Sequence, residues 1–142
     1  MSKMNIRSTF FILLFLGAFV SLSAQEKEAS HQYETRFERI AQEQLDAYNA
    51  KDIDSFLKSY AEDVKVYRFP DRLLYQGKDK MRDTYKRMFE TIPNLHCTLE
   101  NRIVEQNVVI DKEKVQLGDK TIRATAIYVI KDFRIKEVYF IQ

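Results

Sequence analysis

The order of the predicted elements indicates an α+β domain, in which a curved antiparallel sheet packs against three helices from the first part of the chain. Apolar residues recur with helical spacing in three stretches between Tyr33 and Ile92. From Leu95 onward the pattern is that of strands separated by turns. Helices that precede antiparallel strands favour α+β over doubly wound α/β. Because three helices cannot fill a strongly bent sheet, we expect a cone-like fold with a pocket at its open end.

The composition is that of one ordinary globular domain. The chain has 142 residues, of which 45% are hydrophobic and 31% are charged. Its 23 basic and 21 acidic residues leave a net charge of +2, and they are dispersed along the sequence. This balance provides no electrostatic basis for binding nucleic acid, which is therefore not an expected partner.

The first 24 residues have the pattern of a secretory signal peptide. Lys3 and Arg7 precede an apolar run, and small residues follow it up to Ala24. The run is shorter than the roughly 20 residues of a membrane-spanning helix, although an uncleaved anchor remains the alternative. We therefore expect a secreted or periplasmic protein, cleaved after Ala24, with no membrane contact in its mature form. Residues 25–32 are predicted to be a flexible leader, and residues 33–142 the folded domain.

Three helices are predicted from apolar spacing. The stripe of the first consists of Tyr33, Phe37, Ile40, Ala41, Gln44, Ala47 and Tyr48. Asp52 is placed to cap the second helix by accepting hydrogen bonds from its free backbone amides. The third helix follows Gly77 and presents Met81, Tyr85, Met88, Phe89 and Ile92. The first stripe thus contains one polar side chain, that of Gln44.

The predicted β-type runs are residues 64–69, 73–75, 95–104, 108–110, 121–130 and 133–141. Lys112-Glu113-Lys114 is interpreted as a hairpin loop after the short run of residues 108–110. The single cysteine, Cys97, rules out an intramolecular disulfide and is expected to be buried and inert. With two His and three Gly, the chain offers no metal-ligand spacing and no phosphate-binding loop, so we expect neither a metal nor a cofactor.

The stretch from Gln44 to Tyr67 resembles the opening of nuclear transport factor 2-like domains, most closely those of the SnoaL-like and ketosteroid isomerase branch. The resemblance lies in the Asn49-Ala50-Lys51-Asp52 turn, the Glu62-Asp63 pair before a strand and the third helix that follows Gly77. It extends over nearly all of the predicted mature domain. It implies the cone-like fold of that superfamily, which carries isomerases, cyclases, dehydratases, hydrolases and non-catalytic modules alike.

The same resemblance implies where the residues of the isomerase reaction would stand. The family's oxyanion-donating Tyr on the first helix is Gln44 in this sequence, and its general-base Asp is Arg68. The second donor, a protonated Asp, falls at or near Tyr128. Because none of the three is retained, proton transfer by the isomerase route is not expected, and the resemblance leaves open whether the chain is an enzyme.

Gln44 and Arg68 are the first two candidate site residues. An amide that faces a core needs partners, so Gln44 either donates to a ligand or bonds a buried backbone group or water. Arg68 would reach the pocket mouth if Val64 and Val66 face inward, where it could bind a carboxylate or enolate. With the opposite strand phase Arg68 is exposed.

The strand of residues 95–104 supplies two further candidates. Alternation places Cys97, Asn101 and Ile103 on one face, which makes Asn101 a candidate pocket residue. His96 would then lie on the outer face with Glu100 and Arg102, as a candidate general base or as an interface residue.

Tyr48 and Tyr128 complete the candidate ligand-binding set with Gln44, Arg68 and Asn101, as pocket hydroxyls or as ordinary core tyrosines. The resulting hypothesis is a domain that binds a small, mostly apolar molecule, with isomerase- or lyase-type acid/base chemistry if it is an enzyme. The alternative is a non-catalytic interaction module that uses the outer face of the sheet. A homodimer is expected in either case.

Overall fold

A computed structural model describes the backbone of residues 6–142 and the side chains of residues 24–142. The chain divides into two compact units, residues 1–33 and 34–142. The predicted signal peptide lies outside the residues whose side chains are described. Within the described part of the chain, no helix is long and apolar enough to span a membrane.

Helix α1 spans Ile6–Asn49. It includes residues 25–32, for which the sequence predicts a flexible leader; this stretch is rich in Glu, Lys, Gln and Ala, which favour helix. In the second unit, α1 buries the side chains of Ile40, Ala41, Gln44, Leu45, Ala47 and Tyr48. From Phe37 to Tyr48, the predicted stripe is therefore the face that packs on the sheet, whereas Tyr33, which was also predicted to belong to it, is exposed.

The turn after α1 ties the helix to the sheet. Lys51 has a positive φ of 55°, and the Lys51 and Asp52 amides donate to carbonyls of the last turn of α1. The Asp52 carboxylate accepts from the amides of residues 54 and 55, which confirms the predicted cap of helix α2, Ile53–Lys58. Asn49 bonds both backbone groups of Cys97, at 2.9 and 2.8 Å. The Asn49 side chain thus fixes where the third strand starts against α1.

The sheet has six strands: β1 (Tyr60–Arg68), β2 (Arg72–Gln76), β3 (His96–Glu105), β4 (Val108–Leu117), β5 (Lys120–Lys131) and β6 (Arg134–Ile141). Their order is β2-β1-β6-β5-β4-β3, and helix α3 (Lys78–Thr91) connects β2 to β3. Neighbouring strands are antiparallel except β1 and β6, because the last strand returns beside the first. The helices lie in the concave face of this open, curved sheet, which confirms the predicted α+β class.

The core lies between the three helices and the inner face of the sheet. Its most deeply buried side chains are Phe56, Met81, Ile130, Ile135, Val64, Val66, Val109, Val138 and Asp111. Tyr48, Phe56, Tyr85 and Phe89 form an aromatic cluster with ring centroids 4.5–6.2 Å apart. This cluster joins all three helices.

Strand β4 corrects the prediction of a loop at residues 112–114, which lie in the middle of a continuous strand. Asp111 and Glu113 point into the core, whereas Lys112 and Lys114 are exposed on the outer face. The segment therefore alternates as a strand should, with carboxylates on its inner face.

Strand β3 contains a bulge that reverses its phase. Leu99 pairs with Glu113 and Asn101 with Lys112, so Glu100 is an additional residue. Cys97 is inside before the bulge, and Arg102 is inside after it. The predictions that Asn101 faces the pocket and that Arg102 lies on the outer face are therefore wrong.

Candidate functional site

A cavity of about 250 Å³ lies between the helices and the inner face of the sheet. Aliphatic and aromatic side chains form most of its wall: Leu45, Tyr48, Phe56, Tyr60, Val66, Leu74, Tyr75, Tyr85, Met88, Val115, Leu117, Ile122, Ala124, Tyr128 and Phe140. The polar lining residues other than tyrosine are Gln44, Thr84, Cys97, Glu113 and Gln142. A cavity of this size fits a ligand smaller than a drug molecule.

Four polar residues of the wall form one chain of hydrogen bonds. The Tyr60 hydroxyl donates to Gln44 Oε1 at 3.0 Å, and Gln44 Nε2 donates to the Tyr128 hydroxyl at 3.1 Å. The Tyr128 hydroxyl in turn donates to Glu113 Oε1 at 3.2 Å. Gln44 is therefore the link between β1 and β5, which explains how an amide is accommodated in the apolar stripe of α1.

Glu113 is the ionisable centre of this chain. It is 5% exposed and pairs across β4 and β5 with Ala124, whose small side chain leaves space for the carboxyl group. Burial, followed by the charge of the nearby Asp111 carboxylate, raises its pKa to about 7, while hydrogen bonds from Tyr128 and Cys97 oppose the shift. At neutral pH this carboxyl is poised between its two protonation states.

Asp111, two residues before Glu113, forms a buried ion pair with Arg102. Arg102 Nε and Nη2 each donate to one Asp111 oxygen at 2.7 Å. The two side chains are 7% and 0% exposed, and Arg102 also donates to Gln42 on α1. The pair therefore places the Asp111 carboxylate beside Glu113, and the Arg102 guanidinium balances its charge.

The other titratable groups of the wall stay protonated. Burial, followed by the charge of Glu113, raises the pKa of the Tyr128 hydroxyl, and burial is also the main cause that raises that of Tyr60. Burial likewise raises the pKa of the Cys97 thiol. These groups therefore act as hydrogen-bond donors, and Cys97 is buried as predicted.

Three of the predicted site residues come together at this cavity: Gln44, Tyr48 and Tyr128 all line it. Arg68, His96 and Asn101 do not line it, and all three are exposed. Whether any of the six contacts a ligand stays a prediction.

Strand geometry explains these positions. Val64 and Val66 do face inward, but Arg68 is the last residue of β1, where it pairs with Arg72 beside the β1–β2 turn and is no longer covered. His96 is exposed because its neighbour Cys97 faces inward at the start of β3.

Four residues of the site were missed by sequence reasoning: Tyr60, Arg102, Asp111 and Glu113. The available signal was the alternation of Val109, Asp111, Glu113 and Val115, with Lys112 and Lys114 on either side of Glu113. Two carboxylates at alternate positions of a strand share a face, here the inner one. No sequence pattern indicated that Arg102 faces inward, because only the bulge in β3 turns its side chain toward the core.

The comparison with protein families agrees with this architecture. The family model described as "SnoaL-like domain" matches residues 41–138, which is more than half of the chain. The chain belongs to the SnoaL-like domain family. None of the curated protein sequences matches it.

Solved structures share the fold of this SnoaL-like domain at low sequence identity. An uncharacterized cystatin fold protein from Novosphingobium aromaticivorans is 22% identical, with a TM-score of 0.70, and the match covers 75% of this chain and 97% of that one. A SnoaL-like protein of unknown function from Burkholderia thailandensis E264 is 20% identical, with a TM-score of 0.66 and coverages of 75% and 93%. An LEH-like epoxide hydrolase from M. tuberculosis is 15% identical, with a TM-score of 0.62 and coverages of 75% and 84%. These similarities confirm the nuclear transport factor 2-like fold.

Proposed function

We propose that this SnoaL-like domain binds a small, mostly apolar molecule in its cavity and moves a proton with Glu113 as the general base. The observation that carries the proposal is a buried carboxyl group in the cavity wall with a pKa raised to about 7. A base with a pKa near the working pH combines an ionised population with a useful proton affinity. The reaction class that fits is isomerase- or lyase-type acid/base chemistry.

The shape of the cavity supports a small ligand. A volume of 250 Å³, divided by the roughly 30 Å³ that one water occupies in the liquid, holds on the order of eight non-hydrogen atoms. The mostly apolar wall favours a compact hydrocarbon skeleton, because each buried CH₂ contributes about 0.8 kcal/mol. The LEH-like epoxide hydrolase among the structural neighbours is named for small-molecule chemistry on the same fold.

The position of the base differs from that implied by the ketosteroid isomerase resemblance. There the general base would stand at Arg68, which is exposed and outside the cavity. Glu113 on β4 instead supplies a carboxyl group from another strand, next to Tyr128 and linked through it to Gln44. The proposed reaction therefore has a proton acceptor of its own and needs none of the isomerase residues.

A ligand screen with deuterium exchange tests this function. The purified protein would be screened by thermal shift against small apolar ketones, lactones, epoxides and amines. Compounds that stabilise the protein would then be incubated in D₂O and followed by proton NMR. We expect a C–H signal to disappear with the wild type and to persist with Glu113→Gln.

Glu105→Gln is the matched control, because Glu105 is an exposed glutamate on β3. With this control variant, the C–H signal of the ligand should disappear as it does with the wild type. A ligand that binds with no exchange would contradict the base role of Glu113, and a screen without any ligand would contradict cavity binding as well.

The second candidate function is an interaction module, and the outer face of the sheet favours it. Strand register places one row of apolar side chains across all six strands: Ile103, Ile110, Ile127, Tyr139, Tyr67 and Leu73. The rings of Tyr67 and Tyr139 stack there, 4.8 Å apart. A second copy of the chain could cover this row, in agreement with the expected homodimer.

Size-exclusion chromatography with light scattering at two protein concentrations tests this candidate. Ile127→Arg should dissociate a dimer that uses the row, whereas Lys114→Glu on the same face lies outside the row and serves as the control. Arg102→Glu would be uninformative, because Arg102 is paired inside with Asp111. A monomeric wild type would exclude the dimer.

We also propose that the protein is secreted or periplasmic, with cleavage after Ala24. The proposal is supported by the basic, apolar and small-residue segments of the first 24 residues. Mass spectrometry of the intact protein from fractionated cells tests it, because a mature N-terminus at Gln25 is expected. A full-length mass in the cytoplasmic fraction would contradict it.

A further inference from the structure

The hydrogen bonds of the cavity wall are directional, and their direction restricts the ligand. The hydroxyl protons of Tyr60 and Tyr128 are both committed, to Gln44 and Glu113 respectively. Gln44 uses its amide nitrogen toward Tyr128 and its oxygen toward Tyr60. The Cys97 thiol is bonded to Glu113. The groups next to Glu113 therefore have few donors left for a ligand.

The acceptors of the wall are less fully used. An ionised carboxylate offers about four lone-pair positions, and Glu113 receives bonds from Tyr128 and Cys97. Roughly two positions therefore remain on a group that lines the cavity. Next to Glu113, a ligand that donates hydrogen bonds matches this surface better than one that only accepts them.

The charges around the cavity favour the same kind of ligand. Among the residues that the structure describes, no lysine, arginine or histidine lines the cavity. The nearest described cation in the hydrogen-bond network, Arg102, is engaged by both oxygens of Asp111. The ionised form of Glu113 thus contributes a net negative charge, which disfavours anionic ligands and favours cations.

The aromatic residues of the wall supply further stabilisation for a cation. Seven rings line the cavity, those of Tyr48, Phe56, Tyr60, Tyr75, Tyr85, Tyr128 and Phe140. The face of an aromatic ring carries negative charge density and attracts an ammonium group. Ring contacts and a carboxylate together offset the cost of removing an ammonium group from water.

We infer that the ligand is a small apolar amine, bound with its protonated nitrogen on the Glu113 carboxylate and its hydrocarbon part against the aromatic wall. The inference rests on the proposed function, because it names the ligand class of the same cavity. The nitrogen occupies one of the roughly two free acceptor positions of Glu113 and leaves the other to accept a proton. The hydrogen bond from Tyr128 holds the carboxylate in place from the other side.

Calorimetric titration with three probes of matched shape tests the amine. The probes are cyclohexylmethylamine, cyclohexylmethanol and cyclohexanecarboxylate, titrated at pH 8.5 into the purified protein. We expect the amine to bind about tenfold more tightly than the alcohol, because its bond to the carboxylate is charge-assisted. The carboxylate should bind most weakly. Equal binding of amine and alcohol, or preference for the carboxylate, would overturn the inference and leave the cavity a site for other ligands.

Two further measurements separate pairing with Glu113 from simple hydrophobic binding. In Glu113→Gln the amine should lose at least about tenfold in affinity while the alcohol changes little, and Glu105→Gln should leave both unchanged. At pH 5.5 the wild type should bind the amine about thirtyfold more weakly than at pH 8.5, because a proton competes for Glu113. The charged and titratable groups that face or adjoin Glu113 are Cys97 and Arg102 on β3, Asp111 on β4, Tyr128 on β5, Tyr48 on α1, Tyr60 on β1 and Tyr85 on α3.

The outcomes distinguish this inference from the proposed function. If none of the three probes binds but the ligand screen yields a compound that exchanges deuterium, the amine assignment is wrong and the catalytic proposal stands. If neither experiment yields a ligand, both are wrong. An amine affinity that does not change in Glu113→Gln would overturn the inference even if the amine binds best.

Discussion

The carboxyl groups of Asp111 and Glu113 lie two residues apart on the inner face of β4 but have different partners. Arg102 contacts both oxygens of Asp111 at 2.7 Å, whereas Glu113 accepts from the Tyr128 hydroxyl at 3.2 Å. One carboxylate is therefore neutralised by a buried cation, while the other has a pKa raised to about 7. This difference between the two neighbours leads to the first three predictions.

Arg102→Met should strongly destabilise the fold. The side chains of Arg102 and Asp111 are 7% and 0% exposed, so the substitution leaves a buried, unpaired charge. We expect the free energy of unfolding to fall by roughly 3–5 kcal/mol, measured by urea denaturation. Arg123→Met is the control, because Arg123 pairs with Glu100 in an exposed ion pair worth about 0–1 kcal/mol. Similar losses in the two variants would contradict the special role of the buried pair.

Asp111→Asn should lower the pKa of Glu113 below about 7. The Asp111 charge is one cause of the raised value, and its removal also leaves the Arg102 cation uncompensated beside Glu113. Carbon-13 NMR titration of the glutamate carboxyl groups measures the shift. Asp119→Asn, in the exposed turn between β4 and β5, should leave the titration unchanged. A Glu113 pKa that stays at its wild-type value would show that burial alone sets it.

The stability of the wild type should decrease as the pH rises from about 5 to 7. Glu113 has a pKa of about 7 when folded, against an ordinary value of 4.5, so between these values the folded state binds more protons than the unfolded state. The contribution of Glu113 to the free energy of unfolding is fully present below pH 4.5 and is lost as the pH rises through about 7. The loss amounts to roughly 3 kcal/mol.

Urea midpoints at pH 5 and pH 8 measure this effect. Glu113→Gln should remove the contribution of Glu113 to the change in stability between pH 5 and pH 8. Glu105→Gln should retain that contribution, because Glu105 is exposed. If stability changes equally with pH in Glu113→Gln and in the wild type, the pH dependence belongs to other groups.

Gln44→Leu should destabilise the protein by roughly 1–3 kcal/mol, because a buried hydroxyl loses its partner. The Tyr60 hydroxyl would lose its acceptor, and the Tyr128 hydroxyl would lose the donor that Gln44 supplies. Thermal and urea denaturation measure the change beside Gln76→Leu, a substitution at an exposed position of β2. A Gln44→Leu variant more stable than the wild type would mean that the amide is retained for a ligand and not for the fold.

Local patterns accounted for the helices and for the fold class. The apolar stripe of α1 from Phe37 to Tyr48 and the Asp52 cap were predicted correctly, because each depends on residues within one or two turns of one another. Gln44 was singled out because a polar residue in an apolar stripe is visible without any tertiary information.

The candidate site was only half predictable for a reason that β3 and β4 share. Alternation indicates which residues share a face, but it cannot show that Glu100 is an additional residue. The bulge moved Asn101 out of the predicted pocket and brought Arg102 into contact with Asp111. The prediction of a loop at residues 112–114 was wrong because Arg102 and Tyr128, from the two neighbouring strands, accommodate the buried carboxylates of β4, and no local pattern shows such partners.

The sequence by itself determined the α+β class, the helical faces and the presence of Gln44 and Tyr48 on the core side, since these follow from periodicity. Tyr128 was singled out only by the resemblance to the ketosteroid isomerase branch. Only the tertiary structure decided that Glu113 is the titratable group of the cavity. Its pKa depends on burial by three helices, on the charge of Asp111 and on the hydroxyl of Tyr128 from the next strand. These are interactions between residues distant in sequence, and no local pattern specifies the distances on which they depend.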